Sequence, residues 1–263
     1  MTLLGGLALM AVSTALLAGG VWPVTIYFTP LMWTGYVLLV DAAVYRRRGR
    51  SLLKNDVRAF GWMAALSIPL WLVFEAYNLR LQNWVYVGLP DNLVLRQIGY
   101  IWSFATIWPA ILETAELLLT GRRAEQTPVR IRCRWWVPLG LACVLVPVVL
   151  PRQWGAYLFG LVWLGFIFLV DPINRAAGRA SILDDRRRLG ALLATGGICG
   201  VLWELWNYWA GAKWVYVFPI LQDLKLFEMP LPGYLGFPAF AVEVFVLYVY
   251  ATGRLRLPYY DIR

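Results

Sequence analysis

Eight apolar stretches, each about long enough to cross a lipid bilayer as a helix, dominate this sequence. A bilayer core about 30 Å thick needs about 20 mostly apolar residues per helical span. The stretches lie near residues 3–22, 24–45, 59–79, 98–120, 135–151, 154–172, 189–210 and 233–253. With 60% hydrophobic and only 15% charged residues, the chain does not have the composition of an ordinary soluble domain. We therefore predict an all-α integral membrane protein with eight transmembrane helices.

The basic residues are distributed unevenly among the connections between these stretches. Segments 46–58, 122–134, 175–188 and 254–263 contain 19 of the 24 Lys and Arg residues, and the alternate connections contain the other five. Lys and Arg accumulate on the cytoplasmic side of a spanning protein. We therefore predict that both termini are cytoplasmic. The formal charge of +9 then reflects membrane topology, and no binding to nucleic acid is expected.

The two halves of the sequence repeat one another at an offset of 129 or 130 positions. Glu75 and Asn78 recur as Glu204 and Asn207. The other matched positions are 38–41 with 168–171, 51–53 with 181–183, 84–86 with 214–216, and Glu113 with Glu243. Each half contains four stretches, an even number, so both halves have the same orientation in the membrane. We predict two parallel four-helix repeats and a basic cytoplasmic linker between them, at residues 1–121, 135–263 and 122–134 respectively.

Histidine is absent from the chain, which limits the chemistry that it can perform. A His-ligated haem, a zincin-type metal site, a Ser-His nucleophile and a His proton relay are all excluded. The three cysteines, Cys133, Cys143 and Cys199, show no paired spacing, so neither a disulfide framework nor a zinc site is indicated. We predict no metal and no cofactor, and a chemistry that depends on carboxyl groups.

Several acidic residues fall inside the apolar stretches, where an ionised side chain costs about 2.5–3.5 kcal/mol on insertion scales. Asp41 and Asp171 lie near cytoplasmic helix ends, where ion pairs with Arg46 and Arg175 are the simpler prediction. The acids placed deeper in the stretches are Glu75, Glu113, Glu116, Glu204 and Glu243. Acids in such positions need partners or a function.

Glu75 with Asn78, and Glu204 with Asn207, are three residues apart, so each pair shares one face of a helix. Two such faces could enclose one cavity, although interhelical hydrogen bonding is an alternative role for these side chains. Apolar surroundings favour the neutral carboxylic acid, which can donate a proton. The predicted catalytic residues are Glu204, Glu75, Asn207, Asn78, Glu243 and Glu113. The predicted substrate-binding residues are Trp71, Trp203, Tyr77 and Trp206, whose ring faces can attract a cation.

Each half resembles the membrane domain that occurs in paired form in bacterial and fungal lycopene cyclases. In that family a helix ends in an aspartate and arginines, as at Asp41 and Asp171 here, and a second helix carries a Trp-acid step, as at Trp203-Glu204. The family's Pro-Leu-Glu-Glu element is replaced in the second half by residues 228–233, and each half has one additional helix at its start. The resemblance implies a related fold and the chemistry of a carotenoid cyclase.

These observations lead to one leading functional hypothesis and two alternatives. The leading hypothesis is a membrane-embedded cyclase or isomerase that protonates a double bond of an isoprenoid or carotenoid without redox chemistry. Glu204 would donate the proton, with Glu75 as acid or base, and Glu243 or Glu113 would receive the final proton. The alternatives are a proton-coupled transporter of a lipid or small apolar solute and a lipid-binding membrane protein without catalysis. The expected location is the bacterial inner membrane.

Overall fold

The structure, a computed structural model, describes residues 3–120 and 135–253. The predicted linker at 122–134 and the terminal segment 254–263 lie outside the described residues. The helices are α1 (Leu3–Ala18), α2 (Val24–Arg48), α3 (Leu52–Asn55), α4 (Val57–Leu81), α5 (Leu93–Leu119), α6 (Trp136–Val149), α7 (Arg152–Gly155), α8 (Phe159–Ala176), α9 (Arg186–Trp209) and α10 (Gly236–Thr252). Short 3-10 turns precede α8 at Ala156–Leu158 and α10 at Leu231–Leu235. The strands are β1 (Trp84–Val87), β2 (Lys213–Tyr216), β3 (Lys225–Leu226) and β4 (Met229–Pro230).

Helices occur at all eight apolar stretches, and five of them meet the requirements for a membrane span. In the described part of the chain, the helical segments long and apolar enough to cross a membrane are Val24–Arg48, Val57–Leu81, Arg152–Ala176, Arg186–Trp209 and Leu231–Thr252. Helices α1 and α6 are apolar but contain only 16 and 14 residues. Helix α5 is 27 residues long and is not among the five. The structure is therefore that of a mostly helical membrane protein, and the count of eight spans stays a prediction.

The helices of each half pack in the same order. Helix α1 lies against α2, α2 against α5, and α5 against α4, and in the second half α6 lies against α8, α8 against α10, and α10 against α9. The first contact of each half depends on glycine, because a Cβ atom at Gly6 would lie 2.6 Å from the Gly35 carbonyl oxygen and one at Gly140 would lie 2.8 Å from that of Gly165. Small residues allow such close approach of helix backbones in membranes. Helix α5 also packs against α9, which joins the halves.

Two buried aspartates hold the connections that follow α2 and α8. Asp41 accepts hydrogen bonds from the Ser51 hydroxyl at 2.9 Å and the Leu53 amide at 3.0 Å. Asp171 accepts from the Ser181 hydroxyl at 2.7 Å and the Ile182 amide at 3.1 Å. These contacts correct the prediction that the aspartates pair with Arg46 and Arg175, since Arg175 pairs with Asp184 at 2.9 Å. Each aspartate therefore stabilises a turn, because its acceptor atoms satisfy donors of the loop.

A two-stranded ribbon joins the halves at the end of the bundle opposite these turns. Strands β1 and β2 pair antiparallel, with Trp84 opposite Tyr216 and Tyr86 opposite Trp214. Since side chains alternate along a strand, these four aromatic residues lie on one face of the ribbon. Val85, on the other face, is 44% exposed. The prediction of spanning helices did not include this ribbon.

Candidate functional site

A cavity of about 400 Å³ lies beneath the aromatic face of the ribbon. Helices α2, α4, α5, α8, α9 and α10 all contribute to its wall, which is largely aromatic. Its aromatic members from these helices include Trp33, Trp71, Phe104, Trp163, Trp203 and Phe240, and the ribbon adds Trp84, Tyr86, Trp214 and Tyr216. The volume lies within the range of about 300–1,000 Å³ that small-molecule sites occupy. The cavity can therefore hold a small apolar ligand or one segment of a longer lipid.

One side of the cavity reaches the outer surface of the bundle. Tyr157, Leu164 and Leu235 line the cavity, and they are 50%, 38% and 79% exposed. Tyr157 precedes α8, Leu164 is on α8, and Leu235 ends the 3-10 turn that leads into α10. These exposed, mostly apolar side chains suit the entry of an apolar ligand.

The carboxyl group of Glu75 lies directly behind the aromatic wall. Its Oε1 atom accepts hydrogen bonds from the Tyr86 hydroxyl at 2.6 Å, the Trp71 indole at 3.0 Å and the Trp84 indole at 3.3 Å. All three donors line the cavity, and Glu75 itself is not among the described lining residues. Three donors to one oxygen stabilise a carboxylate at this position, because hydrogen bonds to the charged form compensate part of its loss of hydration.

Glu204 occupies the corresponding position in the second half but has a different environment. Its side chain is completely buried, and its Oε1 atom accepts a hydrogen bond from the Tyr216 hydroxyl at 2.9 Å. That hydroxyl in turn accepts from the Trp214 indole at 3.0 Å. The Oε2 atom of Glu204 has no hydrogen-bond partner among the described residues. A buried carboxylate with one donor is costly, so this environment favours the neutral carboxylic acid.

The two tyrosine hydroxyls connect these carboxyl groups to the cavity. Burial, followed by the nearby Glu75 carboxyl group, raises the pKa of Tyr86 well above its usual value of 10.0. Burial and then the Glu204 carboxyl group raise the pKa of Tyr216 in the same way. Both phenols therefore keep their protons at physiological pH and act as donors. Neither tyrosine is among the site residues predicted from the sequence, although the Trp-Val-Tyr segment that contains each of them is repeated in the two halves.

The two asparagines predicted as catalytic residues form their hydrogen bonds with the backbone. Asn78 accepts from the Asn83 and Trp84 amides and donates to the Trp84 carbonyl. Asn207 accepts from the Trp214 amide and donates to its carbonyl. Both side chains thus fix the start of a strand, and they act on the acids only through the tryptophans that they position.

The four predicted substrate-binding residues divide into two groups. Trp71 and Trp203 line the cavity with their ring centroids 5.4 Å apart. Trp206 is buried behind them, with its ring 4.7 Å from that of Trp33. The Tyr77 hydroxyl donates to the Val144 carbonyl. Neither Trp206 nor Tyr77 is among the described residues that line the cavity, so their positions suit packing.

The deeper acids lie below the cavity. Glu243 is completely buried, and neither of its oxygens has a hydrogen-bond partner within the described residues. It follows the cavity residue Phe240 by three positions on α10, so it lies about one helical turn deeper. Glu113 is also completely buried. Glu116 forms ion pairs with Arg48 at 3.4 Å and Arg188 at 3.2 Å, and so connects α2, α5 and α9.

The arrangement of protein groups therefore supports acid–base chemistry in an apolar chamber. No group of three or more His, Cys, Asp and Glu side chains with metal-site geometry occurs in residues 3–120 and 135–253. Comparison of the chain with models of protein families, with curated proteins and with solved structures gave no match in any of the three.

Proposed function

We propose that this chain is a membrane enzyme that cyclises or isomerises an isoprenoid or carotenoid by protonating a double bond. The observation that carries the proposal is the pair of tyrosine–glutamate contacts behind the wall of one aromatic cavity, at 2.6 Å for Tyr86 with Glu75 and 2.9 Å for Tyr216 with Glu204. The sequence resemblance of each half to the lycopene cyclase membrane domain supports the same chemistry.

In the proposed reaction, the Tyr216 hydroxyl turns from Glu204 towards the cavity and transfers its proton to an alkene carbon, while Glu204 transfers its own proton to the Tyr216 oxygen. The π bond supplies the electron pair for the new C–H bond, and a carbocation and the Glu204 carboxylate result. The indole faces of Trp71 and Trp203 stabilise the cation. Loss of a proton to the Glu75 carboxylate, relayed through Tyr86, forms the product double bond. Proton exchange with water then restores both glutamates before the next turnover.

The difference between the two glutamates supports this assignment of roles. Two carboxyl groups with different hydrogen-bonding environments can serve as acid and base at the same pH. Glu75 has three donors on one oxygen, and Glu204 has one. Glu243 and Glu113 remain proposed as alternative final proton acceptors, because they lie buried below the cavity.

We propose further that the chain has eight spans in two parallel four-helix repeats, with both termini cytoplasmic, in a bacterial inner membrane. Matched contacts in the two halves support the repeat: Asp41 and Asp171 hold equivalent turns, and Asn78 and Asn207 hold equivalent strands. A reporter fusion at each terminus, assayed for cytoplasmic activity, tests the orientation.

Expression in a lycopene-accumulating bacterial host tests the enzymatic function. Chromatography of pigments and prenyl lipids should reveal a new cyclic or isomerised product that is lost with Glu204→Gln and with Glu75→Gln. Conversion of unlabelled substrate in membranes transferred to D₂O should introduce deuterium into that product. Unchanged lipids, together with solute uptake that depends on a pH gradient in proteoliposomes, would support a transporter and reject the enzyme.

A further inference from the structure

One stripe of the cavity wall is polar, in contrast to its aromatic surroundings. Arg96, Tyr100 and Ser103 all line the cavity, and their spacing of four and three residues places them on one face of α5. Gly99, between them, also lines the cavity. A Cβ atom at this position would lie 3.3 Å from the Tyr27 ring, so glycine allows that ring to pack close to the α5 backbone. Three side chains with donor groups therefore lie together on one side of a mostly aromatic chamber.

Arg96 is the cation of this stripe, and its charge is not neutralised within the described residues. Its Nε and Nη2 atoms donate to the Pro90 carbonyl at 3.1 and 3.0 Å, which fixes the guanidinium and leaves Nη1 available. The other cation of the wall, Lys213, pairs with Glu228. None of the described lining residues is an aspartate or glutamate. The hydroxyl groups of Tyr100 and Ser103 likewise have hydrogen-bonding capacity for a ligand.

We propose that the ligand of this cavity is an amphiphile whose anionic head group, a phosphate or carboxylate, binds Arg96. Its unsaturated isoprenoid chain lies against the aromatic wall and extends through the opening beside Leu235. Guanidinium groups bind such oxyanions through charge-assisted hydrogen bonds. A pure hydrocarbon offers no acceptor for the guanidinium donors of Arg96, which lines the cavity, whereas an oxyanion does. The assignment of the chain portion rests on the proposed function, and the assignment of the head group rests on Arg96.

Binding measurements on the full chain in phosphatidylcholine nanodiscs test this inference. Quenching of tryptophan fluorescence would compare geranylgeranyl phosphate, geranylgeraniol and a phosphatidic acid with saturated chains. We expect the prenyl phosphate to bind about 10- to 100-fold more tightly than the alcohol. Arg96→Gln should abolish this preference and leave binding of the alcohol unchanged, which also shows that the variant folds.

Arg80→Gln is the matched control, because Arg80 also donates to a backbone carbonyl, that of Leu150, but is not among the described lining residues. This variant should keep the preference for phosphate. Equal binding of phosphate and alcohol, or a preference that survives Arg96→Gln, would overturn the inference. If saturated phosphatidic acid binds as tightly as the prenyl phosphate, the assignment of an isoprenoid chain to the ligand would be overturned. Arg96-dependent binding without deuterium uptake from D₂O would keep the inference and reject the enzyme.

Discussion

The proton relay from Glu204 through Tyr216 predicts a specific pattern of losses among three variants. Glu204→Gln keeps the side-chain volume and an oxygen that can accept from Tyr216, so the free energy of unfolding should change by about 1 kcal/mol or less. The amide has no proton to transfer. General acid catalysis contributes typically about 10²- to 10⁴-fold, so the rate should fall by that factor, which is about 2.7–5.4 kcal/mol in activation free energy.

Tyr216→Phe removes the hydroxyl that connects the acid to the cavity, and it should cause a rate loss of similar size. If the two groups act as one unit, the double variant should be no slower than the slower single variant, since groups that act together are not additive. The measurement is deuterium incorporation into product, by mass spectrometry, in membranes prepared in D₂O. Losses that multiply in the double variant would refute the relay, because each group would then act independently.

Three further predictions concern stability. Asp41→Asn and Asp171→Asn each replace a carboxylate oxygen that accepts a serine hydrogen bond, and thermal unfolding in detergent should show a similar destabilisation of about 1–3 kcal/mol for both. Glu116→Leu removes the acid from two ion pairs, one of them with the buried Arg188, and should cost about 3–5 kcal/mol in a denaturant titration. Because the native pKa values of Tyr86 and Tyr216 are raised above 10.0, stability should hold below about pH 10 and fall above it, as the unfolded phenols ionise. An absorbance titration at alkaline pH should show delayed ionisation of these two residues.

The helices could be predicted from the sequence because an apolar run long enough to span a bilayer has few other structures available. The ribbon of β1 and β2 could not be predicted in this way. Trp-Val-Tyr is too short to distinguish a strand by periodicity, and its pairing joins residues 84–87 with 213–216, which depends on how the helices of both halves pack. Side-chain hydrogen bonds across such a distance have no local signal.

The unequal environments of the two glutamates were also beyond prediction from the repeat alone, although one residue accounts for part of the difference. Trp71 precedes Glu75 by four positions, so its indole lies on the same helix face and donates to the carboxyl group. In the second half the tryptophan is Trp203, adjacent to Glu204, and it points into the cavity in another direction. A shift of the tryptophan within the helix thus removes one donor from the acid.

The register of the ribbon has a consequence for how this architecture could have arisen. Val85 pairs with Val215 at its centre, and Trp84 and Tyr86 pair with Tyr216 and Trp214, so each strand meets its own equivalent around a local two-fold axis. An isologous contact of this kind is the one that two identical subunits make. A polypeptide half this length could form the same ribbon over the cavity by pairing with a second copy of itself. Fusion of two such genes would let the two acids diverge while the ribbon was kept.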